Sequence, residues 1–169
     1  MNALIRIVAD YAIFLVGLGA LVSWLRTPRP IKVPYAAAAA ISLVLVAVAI
    51  MVLSSLWVDP RPFVVDHTTP LIAHAADNGF PSDHTSLATV VAATVFLWHR
   101  RMGVVLLVIA VALGASRVAA HVHHVPDILG GLAAGLLAAA IGTLVARAIP
   151  WVRLSWARSA AGLRGQPVA

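Results

Sequence analysis

Five apolar segments dominate the chain and restrict what it can fold into. They lie at roughly residues 3–25, 35–57, 85–98, 103–120 and 127–149. About 20 apolar residues cross the hydrocarbon core of a bilayer, so four segments are near the required length and the third is short. We therefore expect the third segment either to be flanked by protein or to tilt little.

The composition excludes a water-soluble domain. Hydrophobic residues make up 62% of the chain and charged residues only 11%, whereas a soluble domain carries about 25% charged residues. A chain of 169 residues cannot bury segments of this length in a soluble core. The predicted fold class is all-α: a polytopic membrane helical bundle of about five transmembrane helices plus a short interfacial helix.

Two connecting regions shape this prediction. Pro28, Pro30 and Pro34 are expected to end the first helix and precede the second, because proline interrupts helices. Residues 59–84 are too polar to span a membrane, and within them the stretch 71–76 is the predicted short interfacial helix.

The predicted domain organisation has two parts. Residues 1–149 are expected to form one membrane domain, and residues 150–169 a basic cytoplasmic tail with interfacial tryptophans. The chain has no cysteine, which excludes disulfides and thiolate chemistry.

The positions of lysine and arginine predict the orientation. In a five-span arrangement nine of them fall on one side, which is then cytoplasmic. The nine are Arg26, Arg29, Lys32, Arg100, Arg101, Arg147, Arg153, Arg158 and Arg164. Only Arg6, Arg61 and Arg117 fall on the outer side. We interpret the net charge of +6 as membrane anchoring, so nucleic acid is not an expected partner.

Three polar clusters fall on the predicted outer face. They span residues 59–63, 80–84 and 116–127, each where an apolar segment meets water. Ionisable groups at a membrane edge are costly and indicate function. Two arginines with histidines, a serine and an aspartate are groups that bind phosphate and cleave its ester or anhydride bonds without a metal.

The clusters resemble the three motifs of the type 2 phosphatidic acid phosphatase superfamily of membrane lipid phosphate phosphatases, which read K-x6-R-P, P-S-G-H and S-R-x5-H-x3-D. The matching residues are Arg61-Pro62, then Pro81-Ser82 and His84, then Ser116-Arg117, His123 and Asp127. Two positions depart from the pattern. Ser54 stands where the lysine is expected, and Asp83 replaces the glycine.

The sequence around the motifs is most similar to that of the bacterial undecaprenyl-diphosphatase branch of the superfamily. In that branch the lysine is likewise absent and an aspartate precedes the histidine. The resemblance implies hydrolysis of undecaprenyl diphosphate to undecaprenyl phosphate, which recycles the carrier lipid of cell-wall synthesis. It also implies a multi-pass protein of the bacterial inner membrane with its site on the external face.

The resemblance also implies the roles of individual residues. His123 is the expected nucleophile and forms a phosphohistidine, Asp127 orients it, and His84 is the general acid and later the base. The expected phosphate-binding residues are Arg61, Arg117, Ser82 and Ser116. No metal and no cofactor are expected. The partners are the lipid phosphate and membrane lipids, and the oligomeric state stays open.

Several residues keep alternative interpretations. His67 and His74 are either wet loop histidines or contacts to a second phosphate. Asp83 either caps the third helix or tunes His84. His121, His123 and His124 could form a metal cluster, but we favour peripheral roles for His121 and His124.

The function also has alternatives. One is a broader lipid phosphatase acting on phosphatidylglycerophosphate, phosphatidic acid or another polyprenyl phosphate. The other is a non-catalytic membrane protein that binds lipid phosphates.

Overall fold

The computed structural model describes residues 1–150 and 152 and is helical throughout its regular structure. Five long helices and one short helix follow one another along the chain. They are α1 (Asn2–Arg26), α2 (Arg29–Leu56), α3 (Pro62–Val65), α4 (Asp83–Trp98), α5 (Arg100–Ala119) and α6 (Val125–Ala148). The predicted all-α bundle with five long helices is confirmed. The predicted basic tail lies almost entirely outside the described residues.

Four helices are long and apolar enough to cross a membrane. They are α1, α2, α5 and α6, with mean hydropathy between 2.0 and 2.8. Large apolar side chains such as Phe14, Met51 and Leu144 are more than 60% exposed, as expected for surfaces that face lipid.

Helix α4 is the short segment expected to be flanked by protein or to tilt little, and the first alternative is confirmed. Its 16 residues extend about 24 Å. The helix packs against α1, α2, α5 and α6, and most of its side chains are buried. Because protein surrounds it, α4 needs neither the length nor the uniform apolarity of a lipid-facing helix.

The boundary predicted between the first two helices is wrong. Helix α2 begins at Arg29, not near residue 35, and it contains both Pro30 and Pro34. Proline is tolerated in the first turn of a helix, where its missing N–H would have no partner. Pro34 removes only the bond to the carbonyl of Pro30, at the end of a 28-residue helix.

The helix predicted at residues 71–76 is also wrong, because that stretch is not helical. The short helix outside the long ones is α3, directly after Arg61. The apolar residues at 71–76 pack on the protein instead of lying in an interface. The N–H of Leu71 donates to the carbonyl of Ala120 at 3.0 Å, and Ile72 is buried in a small cluster with Ala9 and Val122.

Two glycines of α6 bring it close to α4. A Cβ at Gly135 would lie 2.8 Å from the carbonyl oxygen of Ser86, and a Cβ at Gly131 would lie 2.9 Å from that of Ser82. Small residues allow this backbone approach between membrane helices. The approach places the N-terminal ends of α4 and α6 side by side.

Candidate active site

The three polar clusters meet at one end of the bundle. The backbone N–H of Ser82 donates to the carbonyl of Asp127 at 3.1 Å, which joins the N-terminus of α4 to that of α6. Arg117 lies in the last turn of α5, and Arg61 immediately precedes α3. Residues about 60 positions apart in sequence therefore line one polar site.

His123 and Asp127 form a buried pair in this site. Nδ1 of His123 lies 3.1 Å from Oδ2 of Asp127, and the two side chains are 2% and 0% exposed. A carboxylate at Nδ1 favours the tautomer with its proton on that nitrogen, so the lone pair is on Nε2. Burial lowers the pKa of His123, against the opposing hydrogen bond of Asp127. His123 is therefore a neutral, oriented imidazole at neutral pH.

Arg61 is held rigidly beside this imidazole. Nη1 donates to the carbonyl of Val122 at 2.8 Å and lies 3.1 Å from Nε2 of His123. Nε donates to the carboxylate of Asp77 at 2.8 Å, and Nη2 donates to the carbonyl of Asn78 at 3.3 Å. Partners on three nitrogens orient the guanidinium towards the nucleophile.

Arg117 differs from Arg61 in having few partners. It is 2% exposed, and Nη1 makes one long hydrogen bond, 3.4 Å, to the carbonyl of Ala9. Nε and Nη2 are buried and have no hydrogen-bond partner among the described residues. A buried guanidinium with free donors is costly unless an anion fills the adjacent space.

His84 and His74 complete the site. His84 is half-buried in the first turn of α4, and the charges that act on it belong to Arg117, His74, His123 and Arg61. The ring of His74 lies edge-on to that of His123, with centroids 6.0 Å apart. Burial and the charge of Arg61 lower the pKa of His74. Of the two histidines predicted in the connecting segment, His74 thus reaches the site.

His67 is placed elsewhere. It is exposed on the turn after α3, with φ of 56°. It is not among the groups that act on His84 or His123. The structure therefore gives no support to a contact between His67 and a second phosphate.

The other polar residues predicted for the site are less clearly positioned to contact a substrate. The hydroxyl of Ser116 donates to the carbonyl of Leu113 at 2.6 Å. Its proton is therefore not available for a hydrogen bond to a phosphate oxygen. Ser82 is fully buried, and its oxygen accepts from Thr85 at 3.1 Å. Ser82 also occupies the N-cap position of α4, so Asp83 is not the capping residue. Asp83 is exposed in the first turn of α4. A negative charge at this position interacts favourably with the helix dipole.

Two residues that position the site carried no sequence signal. Asp77 accepts a hydrogen bond from Nε of Arg61. Asn78 accepts from the N–H groups of Asp59 and Phe80 and donates to the carbonyls of Ser54 and Trp57. A single aspartate or asparagine in a polar loop does not reveal its partner, because the partner is set by how the loop folds back.

The three clustered histidines do not share one ligand set. Each has its own carboxylate: His121 pairs with Asp66, His123 with Asp127, and His124 with Asp59. A different group has donors close enough for a cation, namely Asp59, His124 and Asp127, with one atom from each within 4.8 Å of the others.

Known proteins with similar sequences share a family with this chain. The model of a family described as the PAP2 superfamily matches residues 31–151. The bacitracin transport permease protein BcrC of Bacillus licheniformis is 34% identical over 142 residues, covering 82% of this chain and 68% of the relative. The undecaprenyl-diphosphatase BcrC of Bacillus subtilis (strain 168) is 30% identical over 139 residues, covering 81% of this chain and 70% of the relative.

The fold also matches a solved structure. The crystal structure of Aquifex aeolicus LpxE superposes with a TM-score of 0.57 at 19% identity, covering 83% of this chain and 92% of that chain. The resemblance inferred from the three motifs is confirmed by these comparisons. With a family model that extends over most of its length, the chain belongs to the PAP2 superfamily.

Proposed function

We propose that this protein is a membrane lipid phosphatase that hydrolyses undecaprenyl diphosphate to undecaprenyl phosphate and inorganic phosphate. The observation that supports it most is the buried guanidinium of Arg117, whose Nε and Nη2 have no partner in the described residues. It lies in the same site as a neutral histidine whose Nδ1 faces Asp127, which leaves the lone pair of the ring on Nε2, next to Arg61. An unpaired cationic donor beside an oriented nucleophile fits an oxyanion that reacts there.

In the first step of the proposed reaction, Nε2 of His123 attacks the terminal phosphorus. The P–N bond forms as the anhydride P–O bond breaks, and undecaprenyl phosphate leaves with a proton from His84. Arg61 and Arg117 bind the non-bridging oxygens as their charge redistributes. Asp127 stabilises the positive charge that develops on the His123 ring.

In the second step, His84 takes a proton from water. The resulting hydroxide attacks phosphorus, the P–N bond breaks, and phosphate is released with His123 restored.

The second phosphate of the substrate, which remains on the lipid, lies next to the cleaved bond. His74 faces His123 from the connecting segment and is the candidate contact for it.

A broader lipid phosphatase acting on phosphatidic acid, phosphatidylglycerophosphate or another polyprenyl phosphate is the second candidate. The presence of Ser54 at the position where the superfamily motif has a lysine favours the diphosphate over these monoesters. Its hydroxyl donates within its own helix, to the carbonyl of Met51, and supplies no cation. A leaving phosphate needs less stabilisation than a lipid alkoxide, so an anhydride tolerates that loss better.

A protein that only binds lipid phosphates is the third candidate. Such a protein needs the arginines but gains nothing from a buried carboxylate that orients an imidazole. The His123–Asp127 pair therefore favours catalysis.

We further propose that the site faces the exterior of a bacterial inner membrane. The basic residues Arg26, Arg29 and Arg100 lie at the ends of α1, α2 and α5 that are opposite the site. Their number, together with that of the other predicted cytoplasmic arginines, supports this orientation.

Phosphate release by the purified protein tests the activity. Undecaprenyl diphosphate, farnesyl diphosphate, phosphatidic acid and phosphatidylglycerophosphate are compared in detergent with EDTA present. We expect release from the diphosphates, undiminished by EDTA, and inhibition by vanadate, which resembles the transition state. Activity that EDTA abolishes and Mg²⁺ or Zn²⁺ restores would contradict the metal-free mechanism. Absence of release from every lipid would favour the binding protein.

A further inference from the structure

A cavity lies at the end of the bundle opposite the active site, between the end of α1 and the start of α5. Its volume is about 540 Å³, within the range of pockets that hold small ligands. Four of the side chains that line it are basic or can become so, namely Arg26, His99, Arg100 and Arg101. We call this space the basic cavity, and the proposed reaction gives it no role.

Hydrogen bonds fix the wall of the basic cavity. The hydroxyl of Thr27 donates to the carbonyl of Ser23 at 2.8 Å, so it accepts from Nε2 of His99, which lies 2.7 Å away. The hydroxyl of Tyr35 lies 2.7 Å from Oγ of Ser23. These contacts join the end of α1 to α2 and to the turn between α4 and α5, so the cavity is built on a rigid junction.

The arginines of the basic cavity have no acidic side chain near them. Arg100 and Arg101 are the first two residues of α5, and the first turn of that helix has no acidic residue. Cations at this position oppose the helix dipole, and the nearby Arg26 adds a third positive charge. An anion from outside the protein would offset both costs. All six acidic residues of the chain are described by the structure and lie at the other end of the bundle: Asp10, Asp59, Asp66, Asp77, Asp83 and Asp127.

The deeper wall of the basic cavity is apolar. Met102 and Val105 line it, and both follow Arg100 along α5 towards the middle of the bundle. At about 1.5 Å per residue, Val105 lies roughly 7.5 Å deeper than Arg100. A ligand that fills the cavity therefore meets positive charge at one end and apolar side chains at the other. This distribution suits a membrane lipid better than a free phosphate ion.

We propose that the basic cavity binds an anionic phospholipid, with its phosphate group held by the arginines and its first acyl carbons against Met102 and Val105. Guanidinium groups bind phosphate through paired N–H donors, and basic pockets between membrane helices bind anionic head groups. The bound lipid bridges α1 and α5 and stabilises the folded state. This binding does not depend on the proposed phosphatase activity.

Thermal unfolding of the purified full chain in an uncharged detergent tests the proposal. Phosphatidylglycerol is titrated in, and phosphatidylcholine, which has no net charge, is the reference lipid. We expect phosphatidylglycerol to raise the unfolding midpoint by at least ~3 °C, and phosphatidylcholine to raise it much less. The rise should shrink as NaCl is added, because salt screens the charges. Equal stabilisation by the two lipids would overturn the proposal.

Two substitutions assign the effect to the basic cavity. Arg26→Gln and Arg100→Gln should each weaken the apparent affinity for phosphatidylglycerol about 5-fold, the contribution of one arginine at an anionic lipid surface. Both side chains are exposed, so without the lipid both variants should unfold at the wild-type midpoint. Arg29→Gln is the matched control, because Arg29 is exposed at the same end and lies outside the cavity lining. Wild-type affinity in both cavity variants would contradict the assignment.

A third variant separates the basic cavity from the active site, which also has phosphate-binding arginines. In Arg117→Met the stabilisation by phosphatidylglycerol should persist. Its loss in Arg117→Met, with full stabilisation in Arg26→Gln and Arg100→Gln, would place the lipid in the active site and overturn the proposal.

Soluble phosphates distinguish a lipid from a free anion. Inorganic phosphate and glycerol 3-phosphate are titrated into the wild type and Arg26→Gln. We expect equal midpoints in the two proteins, because these anions lack the acyl carbons that contact Met102 and Val105. Stabilisation of the wild type that Arg26→Gln abolishes would assign the cavity to a free phosphate instead of a lipid.

Discussion

Nη1 of Arg61 lies 3.1 Å from Nε2 of His123, the ring nitrogen proposed to attack phosphorus. The same guanidinium is anchored through Nε by Asp77. Its position next to the nucleophile means that an oxyanion bound by Arg61 comes within reach of Nε2. Proximity and orientation of this kind supply much of the rate enhancement in group transfer.

Asp77→Asn should lower kcat/KM about 10-fold, because Arg61 then loses its charged partner. Burial would raise the pKa of Asp77, but the hydrogen bond and charge of Arg61 outweigh it and lower the pKa overall. The contribution of Asp77 is therefore complete above the ordinary aspartate pKa of about 3.9 and is lost as pH falls through the lowered value. Steady-state phosphate release measures the effect. Equal kcat/KM in Asp77→Asn and the wild type would show that Arg61 needs no anchor.

Arg117→Met should separate activity from stability. We expect kcat/KM to fall at least ~100-fold, because a phosphate-binding charge is lost. The thermal unfolding midpoint should not fall, since a buried cation with two unpaired nitrogens is replaced by an apolar side chain of similar length. Arg29→Met, an exposed position at the opposite end of the bundle, is the control and should leave both unchanged. A destabilised but active Arg117→Met protein would assign Arg117 a structural role instead.

Thiol labelling should distinguish the two faces. The chain has no native cysteine, so single cysteines report their own location. Thr69→Cys, exposed on the segment after α3, should react with an impermeant reagent added to intact cells. Arg100→Cys, at the start of α5, should react only after the cells are opened. The reverse pattern would place the site on the cytoplasmic face. Asn78 is avoided because its four hydrogen bonds hold the loop.

Substrate preference should follow from the missing cation at Ser54. We expect kcat/KM for undecaprenyl or farnesyl diphosphate to exceed that for phosphatidic acid at least ~10-fold, about 1.4 kcal/mol in transition-state stabilisation. Ser54→Lys should narrow this ratio by helping the monoester more, and Ser55→Lys, on the same helix, is the matched control. Equal or faster hydrolysis of phosphatidic acid by the unmodified protein would favour the broader lipid phosphatase.

The long helices could be predicted because apolar length is a local property of the sequence. Even the unusual α4 was recognisable, since a span of 16 residues must be surrounded by protein. The start of α2 was not, because Pro34 lies where proline is only mildly unfavourable. The packing of residues 71–76 could not be predicted either. Whether an apolar loop packs on lipid or on protein depends on Val122 and Ala9, which are distant in sequence.

The motif residues could be placed together from the predicted topology, and the structure brings His84, His123, Asp127, Arg61 and Arg117 to one end of the bundle. The residues that hold them could not. Asp77 and Asp59 look alike in sequence, yet Asp77 binds an arginine and Asp59 lies next to a histidine. Such partners depend on the path of the loop between α2 and α4.

Detection of the covalent intermediate tests the central claim most directly. His84→Ala lacks the base for hydrolysis and also the acid of the first step. A departing phosphate needs less help from an acid than an alkoxide does, so diphosphate labelled on its terminal phosphate should still transfer that phosphate to the protein, where it stays. After an alkaline quench, which preserves phosphohistidine, peptide mass spectrometry should find it on His123. His123→Ala and His123→Asn should carry no label and lose at least ~10³-fold in kcat while remaining folded. Near-normal turnover by either folded variant, or label on another residue, would contradict the account.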